Sequence, residues 1–593
     1  MSFIQRSKCH FGDCPTSVIT TFTNPCCWCG AIFCPTHNTE AFHPCRDILN
    51  LCRTYEQKSD TVIQGIVQRA ATAMYDALLT EIRQAQPDIV KNIEHLRPGH
   101  SFTFSLPDGG TEMSSQSDMH GATNYHIPIS FDDGVKWLLR VRQSTNGVPP
   151  YDFQQAVTVS EVRTLQILKE KGMPVPNAWM PLIERTKAST ILKEPSLSYL
   201  FCEFLSGTPV NLPKDDADSM ISPGSKTRLL IREFAKSQIL LSSAPFATSL
   251  IGSLTSAPVD GQVESDVVKA GPLVDFGFQH LADPPNFPGP FQTNQERYLS
   301  FIDIALSHIA NQYIHQANTL DAYLWHLQLR ELISNCSRLN QRPFETYIRH
   351  ADAKGDHLMQ EIDGKITGII DWECAYVTTK AEAFSAPLFI YYNLESTFSE
   401  NDFTPAEKVL IESYHQLGRP DMAGYIRDGK IYQRLGDIGG YWHTKFMQSD
   451  VLEVFNCDIP DSFQPPLYVG SDWRLYIYNR YRDDPNLQEI IRQTAWNEKE
   501  ENRLAAKGKK KRERERKAYW ALSPDQRAAK IDRERTAHYL ALQKAKPTPK
   551  RFELHVKEED SDTESEHSIA PTKWRTTLEG ILSFFRGRQG RDH

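Results

Sequence analysis

Cysteine and histidine crowd the start of this chain, at spacings that suit metal. CHFGDC, NPCCWCGAIFCPTH and FHPC place Cys9, Cys14, Cys26 or Cys27, Cys29, Cys34, His37, His43 and Cys45 between residues 9 and 45. Seven of the 12 cysteines precede residue 46, while Cys52, Cys202, Cys336, Cys374 and Cys457 are scattered singly. Zinc takes four tetrahedral N or S ligands, so eight such positions make two closed sites, a structural arrangement with no open coordination position. Ordinary buried cysteines are the plain alternative, but they give no reason for two histidines in register. Between Cys26 and Cys27 the choice is open. Cys26 is favoured because a two-residue spacer before Cys29 forms the turn whose N–H groups reach the sulfurs.

The pattern C-x4-C, C-x2-C, C-x4-C-x2-H-x5-H-x-C resembles the AN-one-type zinc finger over residues 9–45. The resemblance implies interleaved sites, with Cys9, Cys14, Cys34 and His37 on one zinc and Cys26, Cys29, His43 and Cys45 on the other. A finger this short folds around its metal and presents a surface, for which a protein partner is expected.

A second set of reactive types lies far downstream in IRHADAKGDHLMQEIDGKITGIIDWE, residues 348–373, which holds Asp352, Asp356, His357, Asp371 and Glu373. Elements upstream must bring partners to these carboxylates. From Ser59 or Asp60, Val62, Ile63, Ile66, Val67, Ala70, Met74, Leu78 and Ile82 keep helical period, and Pro87 is the expected stop. Tyr125, Ile127, Ile129 and Phe131 alternate, Asp132-Asp133-Gly134 turns the chain, and Val135, Trp137, Leu139 and Val141 alternate again, which reads as a β-hairpin. Arg140 and Arg142 share its other face. A helix carrying Glu161, Leu165 and Leu168 ends before Gly172, and YLFCEFLSG (199–207) is strand-like.

This order resembles a kinase-like small lobe, and His350-x-Asp352 followed by Asp371 in IIDWE resembles the aminoglycoside phosphotransferase and choline kinase-like family. IGSL at 251–254 and AGPL at 270–273, flanking Asp260-Gly261, are similar to a hairpin in its fungal branch. The resemblance implies Asp352 as catalytic base and Asp371 as magnesium ligand. Arg140 stands where the phosphate-binding cation would, with Glu161 as its helix partner. Gly121 in MHGATNY would lie over the phosphates, and the backbone near Glu203–Leu205 would meet adenine. Phosphoryl transfer needs these types, because it consists mainly of positioning and neutralising charge. One position departs: His357 stands where the family has an oxygen ligand, and magnesium prefers oxygen, so Asp356 or Glu373 is the expected substitute.

Length bounds the rest. A chain of 593 residues exceeds one core, and residues 501–550 hold 16 Lys/Arg against 6 Asp/Glu, so a net charge of −8 leaves the remainder near −18. That excludes a whole-surface nucleic-acid binder, although the basic tail alone could touch polyanions. The expected architecture is α+β. A two-zinc finger (1–50) and connecting helices (51–98) lead into a kinase-like N-lobe (99–205) and C-lobe (206–495), and a helical or disordered charged tail follows (496–593). Its stretch EEDSDTESE suits phosphorylation, and LEGILSFFRGRQGR suits a short helix that docks on a partner, a membrane surface or the body itself. No membrane span or apolar signal core is visible, so a cytoplasmic protein is expected, with the run at 507–517 able to serve nuclear import. The expected function is ATP- and magnesium-dependent phosphorylation of a small-molecule hydroxyl. The alternative is an inactive kinase-fold adaptor that recruits partners through its finger and tails.

Overall fold

The computed structural model describes residues 6–8, 17–19, 60–110, 112, 124–142, 151–181, 197–210, 225–256, 268–274, 287–312, 314–361, 364–391, 401–436, 438, 447–467, 469–523 and 526. The eight expected zinc ligands, Gly121 and the terminal helical pattern lie outside these residues. Strands β1 (Arg6–Lys8) and β2 (Ser17–Ile19) pair antiparallel, with Ser7 opposite Val18. The chain divides into two compact units. The first comprises Met1–Ile314, Leu329–Tyr391 and Pro405–Gly440, and the second His315–Gln328, Tyr392–Thr404 and Tyr441–His593.

Helix α1 (Asp60–Leu96) starts where the capping residues suggested but runs through Pro87, so the expected stop there is corrected. A proline inside a helix costs about 3 kcal/mol. Ile89 and Ile93 beyond it are fully buried, at roughly 2 kcal/mol each, and that offsets the break. The stripe Tyr75, Leu78, Leu79, Ile82, Ile89 and Ile93 packs against Tyr125, Ile127, Ile129, Leu139, Val141 and Phe201 of the sheet.

That sheet is antiparallel in the order β3-β4-β5-β7-β6, from β3 (Phe102–Thr103), β4 (Asn124–Phe131), β5 (Lys136–Arg142), β6 (Ala178–Trp179) and β7 (Tyr199–Glu203). Gly134, at φ 85°, closes the β4–β5 turn in a region open to glycine. Because side chains alternate, the odd residues of β5 go to α1 and the even ones, Leu138, Arg140 and Arg142, face the other way. Helix α2 (Tyr151–Glu170) lies on that second face and packs Val162, Leu165 and Leu168 with Leu200 and Cys202 of β7.

The remainder of the first unit is mainly helical and carries three small sheets. Strand β8 (Thr208–Pro209) flanks β12 (Leu358–Gln360), which also pairs with β13 (Ile366–Ile369). Helix α3 (Lys226–Ser242) precedes the hairpin of β9 (Leu254–Ser256) and β10 (Val268–Ala270). After α4 (Asn294–Ala310) and α5 (Thr319–Asn335), whose residues through Gln328 are counted with the second unit, β11 (Tyr347–Arg349) pairs with β14 (Tyr376–Thr378). Helices α6 (Pro405–Gln416) and α7 (Pro420–Asp428) complete its core. Buried Glu382 ties the strands together: it pairs with Arg297 and accepts from the hydroxyls of Tyr298 (2.9 Å), Tyr376 (3.0 Å) and Thr378 (2.5 Å). The Arg349 guanidinium donates to the Glu382 carbonyl and, at 2.8 Å, to Ser385 Oγ, which anchors the end of β11.

The second unit holds α8 (Ser471–Arg480), α9 (Pro485–Thr494) and α10 (Glu498–Trp520). Trp473 Nε1 donates to Gln328 Oε1 at 2.7 Å, and Arg474 grips Asp321 through both carboxylate oxygens at 2.6 and 2.7 Å. No described helix is long and apolar enough to cross a membrane. The described architecture is α+β.

Candidate functional site

Even-numbered positions of β5 carry the cations of the site. Arg140 Nη1 donates to Glu161 Oε1 on α2 at 2.6 Å, and its Nη2 donates to Asp371 Oδ1 and lies 3.3 Å from Glu373 Oε2. Arg142, 2% exposed, reaches the other oxygen of Glu161 at 2.7 Å and also bonds Glu373. Its Nε donates to Thr158 Oγ1 at 3.1 Å, and Asn124 Nδ2 donates to Glu373 Oε2, also at 3.1 Å. Two guanidiniums thus meet three carboxylates in a mostly buried network with one negative charge in excess. Burial acts against every charge here, so the ionised forms depend on their partners. The Arg140 guanidinium is held well above its ordinary value, because Glu161, Glu373 and Asp371 outweigh its desolvation. Asp371 is held below the usual carboxylate range against burial, first by Arg140, and Glu373 likewise, first by Arg142.

The loop after β11 brings Asp352 alongside. His350 Nδ1 accepts the Asp352 N–H at 3.2 Å, and its Nε2 faces the Ile370 carbonyl at 3.0 Å. A ring that accepts at one nitrogen must carry its proton on the other, so His350 is neutral with Nε2 donating. Burial holds its pKa down in agreement. The Ile370 N–H returns a bond of 2.9 Å to the His357 carbonyl. Two histidines of the Asp352 loop therefore clamp the residue before Asp371, and Asp371 takes a left-handed backbone at φ 67°. The Asp352 carboxylate pairs with Lys354 and is 40% exposed, so it is accessible to an acceptor. Asp356 is pushed up, first by desolvation and then by Asp352 and Asp371, against the pull of Lys354. The three carboxylates repel one another, a charge that a hard divalent cation would relieve, although their oxygens do not converge on one common position.

The other expected residues fall as follows. His357 is 3% exposed, its Nδ1 accepts the Gly355 N–H at 3.1 Å, and its ring stacks 4.5 Å from His350. Burial holds it well below an ordinary histidine. Glu373 is committed to Arg142 and Asn124. The Glu203 carboxylate accepts from the Asn177 N–H (3.1 Å) and from Asn177 Nδ2 (3.0 Å), while the Glu203 and Phe204 N–H groups go to the Asn177 and Lys136 carbonyls. Two of the N–H groups expected to face adenine are therefore already used within the sheet. Arg140 and Arg142 share a face as expected and both hold Glu161, while Asn124, Thr158 and Lys354, unmarked in the sequence, join the site. Parity along β5 put Arg142 on the right face, but nothing local signalled the others. Among the described residues, one trio could bring three ligand atoms together, His100, Asp132 and Asp133. It is exposed at the β4–β5 turn, and its Asp133 already holds Arg97.

Comparison with known proteins bears on the acidic half of this site. Residues 260–381 match the phosphotransferase enzyme family. The match contains Asp352, Asp371 and Glu373 and begins after Arg140 and Glu161. No curated protein matches the chain. Among solved structures, Plasmodium vivax ethanolamine kinase is similar at 12% identity over 63% of this chain and 86% of that one, with a TM-score of 0.35. Macrolide 2′-phosphotransferase from Brachybacterium faecium gives 15% identity, 59% and 90% coverage and a TM-score of 0.29. A thermostable aminoglycoside phosphotransferase in complex with AMP-PNP and hygromycin B gives 14%, 62%, 95% and 0.28. Identities and scores of this size transfer no substrate.

Proposed function

We propose that the first unit is an ATP-dependent phosphotransferase acting on a small-molecule hydroxyl. The observation that carries this reading is the convergence of Arg140, Glu161 and Asp371, joined through the His350–Ile370 bond to an accessible Asp352. In this reading Asp352 accepts the proton of the acceptor hydroxyl as that oxygen bonds to the γ-phosphorus and the bond to the β,γ-bridging oxygen breaks, releasing ADP. Arg140, held charged by Glu161, neutralises the nucleotide phosphates. Magnesium, when bound with ATP, would draw on oxygens of Asp371 and Asp356 and supply charge neutralisation at the β- and γ-phosphates. Arg142 keeps Glu161 and Glu373 in place from the protein side. Residues 9–45 form, in the same proposal, a two-zinc finger that presents a docking surface, supported by ligand spacing alone.

A non-catalytic binding protein is the second reading, and the burial of an imidazole at position 357, where the family has an oxygen ligand, favours it. One experiment separates the two. With purified protein, the phosphotransferase reading expects ATP binding that strengthens with magnesium, and Asp352→Asn should retain that binding while removing turnover by at least 100-fold. Binding absent with and without magnesium would leave only the second reading. Equal turnover in the variant would remove Asp352 from the chemistry.

A further inference from the structure

Helix α10 carries a charge pattern that the phosphotransferase reading does not use. From Lys507 to Lys517 it holds eight Lys/Arg against two Glu. At 100° per residue, Lys507, Lys510, Lys511, Arg514 and Lys517 share one face, spaced by three, four and seven residues. All five are exposed. They span roughly 15 Å of helix, about the length occupied by four or five phosphates along one strand. The first turn is fixed to its own unit, since Glu501 is buried and takes Arg474 Nη1 at 3.2 Å and Trp496 Nε1 at 2.8 Å. The basic face is therefore presented on an anchored element. Glu513 lies beside the stripe and meets Lys517 at 3.5 Å, an exposed pair that is weak and easily exchanged.

We propose that this face of α10 docks on the phosphate backbone of nucleic acid, independently of base sequence. Charge complementarity selects a polyanion, and the rest of the helix selects which. A helix that lies on an anionic membrane buries an apolar stripe opposite its cations. The far side here carries Asn502, Ala505 and Lys509 instead. An evenly spaced row of cations, with Lys509 a further cation across the helix and no apolar stripe opposite, fits a regular polyphosphate, with counterion release supplying the affinity. The acidic remainder of the chain, near −18 outside residues 501–550, confines the contact to this basic region and keeps it weak and salt-sensitive.

The test uses the full-length protein and a fluorescent 20-nucleotide oligouridylate. Five neutralised phosphates on a single strand give a slope of log affinity against log salt near −3.5. Lys510→Gln with Arg514→Gln should lower affinity roughly twentyfold near 0.1 M salt and flatten the slope by about 1.4. Lys236→Gln with Lys408→Gln removes the same charge elsewhere and should change neither. Unchanged helix content by circular dichroism separates lost contacts from lost structure. Failure of the oligonucleotide to bind, equal loss in both double variants, or preference for phosphatidylserine vesicles over the oligonucleotide would each overturn the proposal.

Discussion

Arg142 and Glu373 show how far residue types alone can be read. Alternation along β5 put Arg140 and Arg142 on one face, because a strand has period two and its apolar residues already claim the other face. The Arg140–Glu161 pair followed from the resemblance, whereas the reach of the two guanidiniums to Asp371 and Glu373 was not legible, since those carboxylates lie more than 200 positions away. Asp352 and Asp371 were visible because their motif is local; Asn124 and Thr158 were not, being ordinary polar residues until the fold aims them. The network makes a pH prediction. Glu373 titrates below its ordinary value in the folded chain, so the unfolded chain takes up protons first as pH falls. Its contribution is complete above about pH 5 and is lost as pH drops through the folded value. Glu373→Gln leaves Arg142 short of a buried partner and should cost roughly 3 kcal/mol at neutral pH. The urea stability curves of variant and wild type should then converge toward pH 3. A constant gap across that range would mean that Glu373 acts by packing alone. Arg142→Lys should also destabilise, since one ammonium cannot bridge two carboxylates that a planar guanidinium holds together.

At the scale of elements, the hairpin β9–β10 is the informative case. The sequence marked IGSL and AGPL as a hairpin by resemblance, with no hint of what it touches. In the fold, Gly252 exchanges backbone hydrogen bonds with Val377 at 3.1 and 2.9 Å, three residues after Cys374 of the small cluster that Cys374 forms with Val157 and Val274. Val157 lies one turn before Glu161 on α2, and Cys374 follows Glu373. The hairpin thus ties the helix that carries Glu161 to the segment that carries Asp371, which is how two elements distant in sequence keep register around Arg140. A Cβ at Gly252 would come within 2.0 Å of the Gly271 carbonyl oxygen, a backbone atom with little room to move. Gly252→Ala should therefore cost about 2–3 kcal/mol by forcing the strands apart. Beyond that loss, ATP affinity should fall roughly tenfold, because Glu161 and Asp371 shift together. Val157→Ala should do the same in miniature, at about 1 kcal/mol. Calorimetric titration of both variants decides: a lowered melting temperature with unchanged ATP affinity would reduce the hairpin to scaffold. The misread end of α1 belongs to this scale too. Pro87 is a local stop signal, and it lost to Ile89 and Ile93, whose burial against the sheet no local window contains.

Over the whole molecule the chain separates its chemistry by composition. Carboxylates concentrate in the phosphotransferase-like body, cations in α10, and thiols in the first fifty residues, where spacing supports zinc. Composition shifts of this kind were legible at once, because they need no tertiary knowledge, whereas the division of residues 315–440 between two compact units was not. Residues 315–328, for example, are counted with the second unit without any linker-like composition to announce it. The zinc expectation lives entirely at the level of composition and spacing, and metal content tests it directly. Full-length protein, purified without added metal and exchanged into chelator-treated buffer, should retain two zinc ions per chain, as eight soft and borderline ligands in two closed sites predict. Cys34→Ser should lower that number to one or none. Interleaved sites share one small fold with no core of its own, and loss of either metal removes folding energy from both. ATP binding by the first unit should survive the substitution if the finger is a presenting surface, and should fall with zinc content if it supports the body. A wild-type stoichiometry of one zinc or none would remove the two-site model.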